Sequence, residues 1–345
     1  MAVVGGGYGG AAVVKALDEH ADVVLIEPKD AFVHAAGALR ALTRPEEWAA
    51  QIFFPYSGVL KRGSHLREYA AAVDARGVTL ASGGRVEADY IVLATGSAYP
   101  YPAKTRTDST AEALDHFKAT HAELAGAERV LIAGAGPVGL ELAGEIRDVW
   151  PGKRITVVDP GAELVPGYTA ELRAELVRQL AELKVEVRLG AAFDAEPDVE
   201  PGRAGDVRAT VGGERVEADI WFRAYGASTN SGYLGDGLAP LNGRGQVPVT
   251  ERLNVDGHAN VYAVGDLTDV AEEKRAGAAS KHAEVVAANI IAQVNGQEPK
   301  EEYRPSPLRA MLLPLGPEYG VGQFPRRRGR CSCRRTRSRS GRAGT

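Results

Sequence analysis

The chain has 345 residues, 44% hydrophobic and 25% charged, a balance that suits a folded protein with room for two domain cores and excludes disorder as the default. No apolar run reaches the roughly 18 residues of a membrane-spanning helix, and no basic stretch followed by an apolar one marks a signal peptide, so the expected location is the cytoplasm. The formal charge of −4 hides an asymmetry: residues 326–345 hold nine Arg and no acid, which leaves 32 bases against 45 acids, or −13, over residues 1–325.

Residues 1–4 are a short apolar run that reads as a strand. Gly5-Gly6-Gly7-Tyr8-Gly9-Gly10 follows, with glycine at the three positions of a GxGxxG turn (Gly5, Gly7 and Gly10), and Val13, Val14 and Leu17 then recur at helical spacing. "ADVVLIEP" is predicted as a second buried strand that ends on Glu27, 17 residues after Gly10. A carboxylate there accepts the hydroxyls of an adenosine ribose, and the helix N-terminus offers free N–H groups to a pyrophosphate.

The unit then recurs. Residues 129–133 read as a strand and Gly134-Ala135-Gly136-Pro137-Val138-Gly139 as its turn, with Pro137 tolerated in the first helical turn. "RITVVDP" closes on Asp159, 20 residues after Gly139. One glycine loop is weak evidence, but two complete strand, loop, helix, strand and acid units make accident a poor explanation.

With these loops, "YIVLATGS" (90–97), "IWFRAYG" (220–226) and "NVYAVGDLTDV" (260–270) resemble the two-dinucleotide-domain flavoproteins, the glutathione-reductase-like group of the pyridine nucleotide-disulfide oxidoreductase superfamily. The resemblance implies an α/β fold of two Rossmann-like three-layer domains, with the NAD domain inserted in the FAD domain. It implies an FAD domain over 1–104 and 247–300, an NAD(P)H domain over 105–246, and a remnant of an acceptor-side region over 301–323. FAD would be held by Gly5, Gly7, Tyr8, Gly10, Glu27, Pro28, Lys29, Ala94, Thr95, Gly96, Gly265 and Asp266, and NADH by Gly134, Gly136, Pro137, Gly139, Asp159 and Gly226. The Asp159 carboxylate repels the 2′-phosphate of NADPH, so NADH is the expected donor.

The segments 27–42, 93–105 and 134–160 are similar to the apoptosis-inducing-factor-like, ferroptosis-suppressor-type FAD-dependent NAD(P)H:quinone oxidoreductases. That likeness places Glu141 near the nicotinamide, His34 beside the flavin-covering segment, Arg40 as a counter-charge for the pyrophosphate, and His282 next to the flavin. Ala35 stands where that family tends to have Asn. For Glu141 the competing reading is a solvated charge near the helix N-terminus, stabilised by the dipole, and for His282 a satisfied helix histidine.

Cys331 and Cys333 are the only cysteines, so no Cys-x-x-Cys pair exists to relay electrons. The acceptor must meet the flavin directly. By itself that leaves a quinone, a dye, oxygen or a redox protein open; the family resemblance implies a quinone or other small acceptor, with peripheral contact at the inner face of a membrane and no specific nucleic-acid partner. The alternatives are a reductase of a small iron–sulfur protein and a low-turnover NADH-sensing flavoprotein. No HExxH, Cys/His cluster or GxSxG elbow is present, so neither a metal site nor acyl chemistry is indicated.

From Phe324 the pattern changes. Residues 324–345 lack apolar periodicity and are expected to form neither helix nor strand. A polybasic tail that binds anionic lipid head groups, or nucleic acid non-specifically, is one reading. A shifted reading frame in GC-rich coding sequence is the other, and the Arg, Gly and Ser composition favours it.

Overall fold

The computed structural model describes residues 1–235, 238–306, 309–324 and 332–335, the last for backbone only. Five parallel strands form the first sheet, in the spatial order Val261–Ala263, Ile91–Leu93, Ala2–Val4, Val24–Ile26, Ser64–Leu66. Ala2, Val3 and Val4 are all buried, because alternate side chains enter different layers. Val3 joins Val13, Val14 and Leu17 of helix Tyr8–Leu17 and Val286 and Ile290 of helix Ala276–Val294. Ala2 and Val4 face Val73, Val78 and Leu80 from an antiparallel three-stranded sheet. Helices, parallel sheet and small antiparallel sheet make the three layers.

The second sheet runs Val185–Leu189, Arg154–Asp159, Arg129–Ala133, Glu214–Arg223, Ala204–Val211, with only the last pairing antiparallel. All five of its strands lie in sequence between Ile91–Leu93 and Val261–Ala263, so the second unit is inserted in the first. The two chain crossings between the units are tied together. Ser97–Ala98 pairs antiparallel with Ser228–Thr229, Thr95 Oγ1 donates to the Asn230 carbonyl at 2.7 Å, and Asn230 Nδ2 donates to the Thr95 carbonyl at 2.9 Å.

A third, antiparallel sheet of Met311–Leu315, Tyr319–Phe324 and Ser332–Arg335 packs on the inserted unit. Gly144 is required there, since a Cβ would lie 2.4 Å from the Leu315 backbone. Gln179 exchanges hydrogen bonds with the Gly320 N–H and carbonyl, at 2.7 and 3.1 Å. The expectation that nothing in 324–345 forms a strand is corrected in part: Phe324 ends the second strand of this sheet, and Ser332–Arg335 adds the third through backbone pairing, which needs no apolar alternation. Residues 325–331 and 336–345, on which the reading of the tail also rests, lie outside the described residues.

Candidate functional site

The first loop is built by close backbone packing. A Cβ on Gly10 would sit 1.8 Å from the Gly5 carbonyl oxygen, and one on Gly5, at φ +99°, would sit 2.6 Å from the Ala94 backbone. Gly7 differs: a Cβ there would meet nothing, because its face is turned to the cleft. Glu27 is buried, accepting the Gly6 N–H on Oε2 at 2.6 Å and the Lys29 N–H on Oε1 at 3.0 Å. A carboxylate has about four acceptor positions, so both oxygens keep capacity for a ligand hydroxyl.

This loop opens on a cleft of about 480 Å³, whose wall includes Gly7, Tyr8, Thr95, Gly96, Gly265 and Asp266. A pocket of about 400 Å³, bounded by Gly5, Pro28 and Tyr233, adjoins it and shares Glu27, Lys29, Tyr69, Thr95 and Asn230. A long cleft with an open glycine and an acid at the strand end fits a dinucleotide.

The second loop repeats the geometry. A Cβ on Gly139 would lie 1.9 Å from the Gly134 carbonyl oxygen, one on Gly134 2.5 Å from the Ala224 carbonyl oxygen, and Gly136 is open. Asp159 accepts the Ala135 N–H at 2.7 Å and the Gly161 N–H at 2.7 Å, just as Glu27 holds Gly6 and Lys29. Pro137 opens the helix Pro137–Val149, and Gly226, at φ +91°, is likewise open on its Cβ side.

The family model for pyridine nucleotide-disulphide oxidoreductases matches residues 1–288. The chain belongs to that family. Its members are oxidoreductases that bind FAD and NAD(P)H. It is 31% identical over 336 residues to ferroptosis suppressor protein 1 of Taeniopygia guttata, spanning 94% of this chain and 88% of the relative. It is 30% identical over 343 residues to apoptosis-inducing factor homolog B of Dictyostelium discoideum, spanning 93% and 88%. The sulfide:quinone oxidoreductase of Aquifex aeolicus shares the fold, with a TM-score of 0.76 at 19% identity over 97% of this chain and 86% of that one.

Against this family's pattern the structure places the remaining candidates unequally. Glu141 lies in the second turn of helix Pro137–Val149, half-buried; burial first, then the nearby Glu145 carboxylate, pushes its carboxyl up to about 7. Arg40 is not at the pyrophosphate loop. Its guanidinium donates from Nε and Nη2 to Glu145, the shortest contact 2.6 Å, and stacks over Trp48 at 5.4 Å, so its charge is already neutralised.

His34 is exposed and does not line the cleft; its Nδ1 lies 3.1 Å from the Tyr8 hydroxyl, which also accepts the Ala36 N–H. It steadies Tyr8. His282 is 1% exposed, and its Nδ1 accepts the Gly265 N–H at 3.1 Å. His282, expected next to the flavin, stands behind the Gly265 backbone and is not among the residues that line the cleft.

Sequence reasoning missed Tyr56, Ser97 and Lys104. The Tyr56 hydroxyl donates to the Gly6 carbonyl at 2.9 Å across 50 residues. Ser97 Oγ donates to Asp266 Oδ2 at 2.5 Å, and Lys104 Nζ donates to Ser97 Oγ at 3.1 Å. Burial pushes the Lys104 ammonium below its ordinary pKa while Asp266 opposes that shift. Ser97 and Lys104 fall inside segments that carried the family resemblance; Tyr56 has no local signal.

Proposed function

We propose that this chain is an FAD-dependent NADH:quinone oxidoreductase that works without a redox disulfide. The observation that carries the reading is the place of Tyr99. Its ring lines the first cleft, and its hydroxyl donates at 2.6 Å to the Ala224 carbonyl, the same carbonyl that a Cβ on Gly134 would strike. The wall of one dinucleotide cleft is thus bonded to the support of the other loop. FAD in the first cleft supplies a two-electron acceptor for a nicotinamide and a two-electron donor for a quinone.

The protein's own residues bind, orient and set charge. Glu27 and Asp159 each fix a loop and offer acceptors to a ribose. Ala276, at the start of the Ala276–Val294 helix, lines the first cleft, where a helix N-terminus favours negative charge. Lys104 adds a cation to the same wall. Glu141, with a carboxyl near neutrality in its pKa, holds or releases a proton at Oε on the nicotinamide side. The absence of any Cys-x-x-Cys pair leaves the acceptor to dock directly.

Anaerobic stopped-flow spectroscopy tests the reading. NADH is expected to bleach the oxidised flavin band, and a soluble quinone to restore it. Restoration by a small iron–sulfur protein but not by quinone would replace the proposed acceptor, and a purified chain without a flavin band would remove the reading altogether.

A further inference from the structure

The buried His282 and Tyr303 and the partly buried Glu272 form a row behind the first cleft. The Tyr303 hydroxyl donates to Glu272 Oε2 at 2.5 Å. Glu272 Oε1 lies 2.8 Å from His282 Nε2, off the line of a straight hydrogen bond, and neither atom has another partner among the described residues. The Tyr303 ring stands edge-on to the imidazole, 4.2 Å between centroids. At the far end, His282 Nδ1 accepts the Gly265 N–H. Because Nδ1 is an acceptor, the ring proton is on Nε2, on the Glu272 side. Gly265 is at φ +71° and begins the turn Gly265–Leu267 that presents Asp266 to the cleft. Glu272 and Tyr303 lie on the wall of a separate charged recess of about 1040 Å³, which gives this row access to solvent protons.

Resting on the assignment of FAD to the first cleft, we propose that His282 is a positioning residue for the flavin. As a neutral Nε2–H imidazole it locks the Gly265–Asp266 wall of the cleft, and as an imidazolium it releases that wall. The imidazolium carries hydrogens on both nitrogens, so its Nδ1–H faces the Gly265 N–H and the bond is lost. Two groups, Glu272 and Tyr303, contact the ring, and the charges of Asp266 and Lys274 act on it from further off. Glu272 and Asp266 favour its protonation, Lys274 opposes it, and Tyr303 presents its ring and keeps its own proton. Desolvation is the largest influence and holds the imidazole below its ordinary pKa, so the lock is closed at neutral pH and opens on acidification.

Flavin release from the holoenzyme, followed by fluorescence between about pH 5 and pH 8, tests this. In the parent protein the FAD dissociation constant should rise by up to about tenfold per pH unit once the imidazole titrates, the limit for one proton. His282→Asn keeps an acceptor for the Gly265 N–H but cannot titrate; it should bind FAD within about threefold of the parent at pH 7.5 and lose that acid sensitivity. His282→Leu removes the acceptor and should weaken FAD about tenfold at pH 7.5. Glu272→Gln should move the loss to lower pH, because the carboxylate is what favours the imidazolium. An acid loss in His282→Asn equal to the parent's, or unchanged affinity in His282→Leu, overturns the proposal.

A nitrogen spectrum selective for histidine adds an arm that needs no flavin. His282 should be the Nε2–H tautomer at neutral pH, and an Nδ1–H tautomer would also overturn the proposal. A protein that shows this tautomer but binds no FAD at any pH would sink the flavin assignment, and with it the role claimed for the lock.

Discussion

Arg40 and Glu145 join the two units. Arg40 sits on the short helix Ala38–Thr43, Glu145 on the helix that leaves the second glycine loop, and Nη2 to Oε1 measures 2.6 Å. Arg44 extends the contact to Glu145, at 3.9 Å, and to Asp148. Glu145 is one turn beyond Glu141 and raises its pKa. Replacing Arg40 with Ala leaves the buried Glu145 with only the 3.9 Å contact to Arg44, which should cost about 2 kcal/mol in chemical denaturation. The conservative Glu145→Gln should bring the Glu141 carboxyl down from about 7 and move the pH profile of NADH-dependent flavin reduction to more acidic values. An unmoved profile would separate Glu145 from the chemistry.

The sign for stability follows from the same carboxyl. A glutamic acid raised from an ordinary 4.5 to about 7 in the fold binds more protons folded than unfolded across that interval, so its contribution falls as pH climbs through it. Glu141→Gln should therefore stabilise the protein at pH 8 relative to the parent, by up to roughly 3 kcal/mol. At pH 4 the two should be nearly equal. Urea titrations at the two pH values read the difference directly.

Glycine positions within one loop should behave oppositely. Gly10→Ala drives a Cβ into the Gly5 carbonyl, an overlap that only backbone movement relieves. It should lower the melting temperature of the flavin-free protein by several degrees, an effect of about 2 kcal/mol or more. Gly7→Ala meets no protein atom. It should leave flavin-free stability within about 0.5 kcal/mol and weaken FAD instead. The pair Gly139→Ala and Gly136→Ala should show the same contrast for NADH. A Gly7→Ala protein that keeps full FAD affinity would mean the open face is not the side the pyrophosphate uses.

Those loops were legible in the sequence because their logic is local: glycine spacing, the following helix and the strand-end acid fall within about thirty residues. What the residues do for one another at long range was not. Tyr56 reaches Gly6 across 50 positions and Arg40 reaches Glu145 across 105, and no periodicity encodes either meeting. His282 was recognisable as a histidine near the flavin segment, but only the packing of its helix shows that the ring meets the back of Gly265 rather than the cleft. Glu27 and Asp159 were assigned to ribose alone, whereas each also ties down its own loop.

That double duty decides what a cofactor-specificity variant should do. On the proposed NADH reading Asp159 would repel a 2′-phosphate, yet its two oxygens also hold the Ala135 and Gly161 N–H groups. Asp159→Asn removes the charge and keeps one carbonyl oxygen, so one of the two backbone donors loses its partner. The repulsion term alone would raise kcat/KM with NADPH, while the loosened loop lowers it for both donors. The expected outcome is a fall of about tenfold with NADH, a net cost near one lost charged hydrogen bond, and little change with NADPH, so that discrimination narrows without reversing. Adding a cation to receive the phosphate should be necessary for reversal. Steady-state kinetics with both donors distinguish this from simple charge removal, which would leave NADH turnover intact and raise NADPH turnover alone.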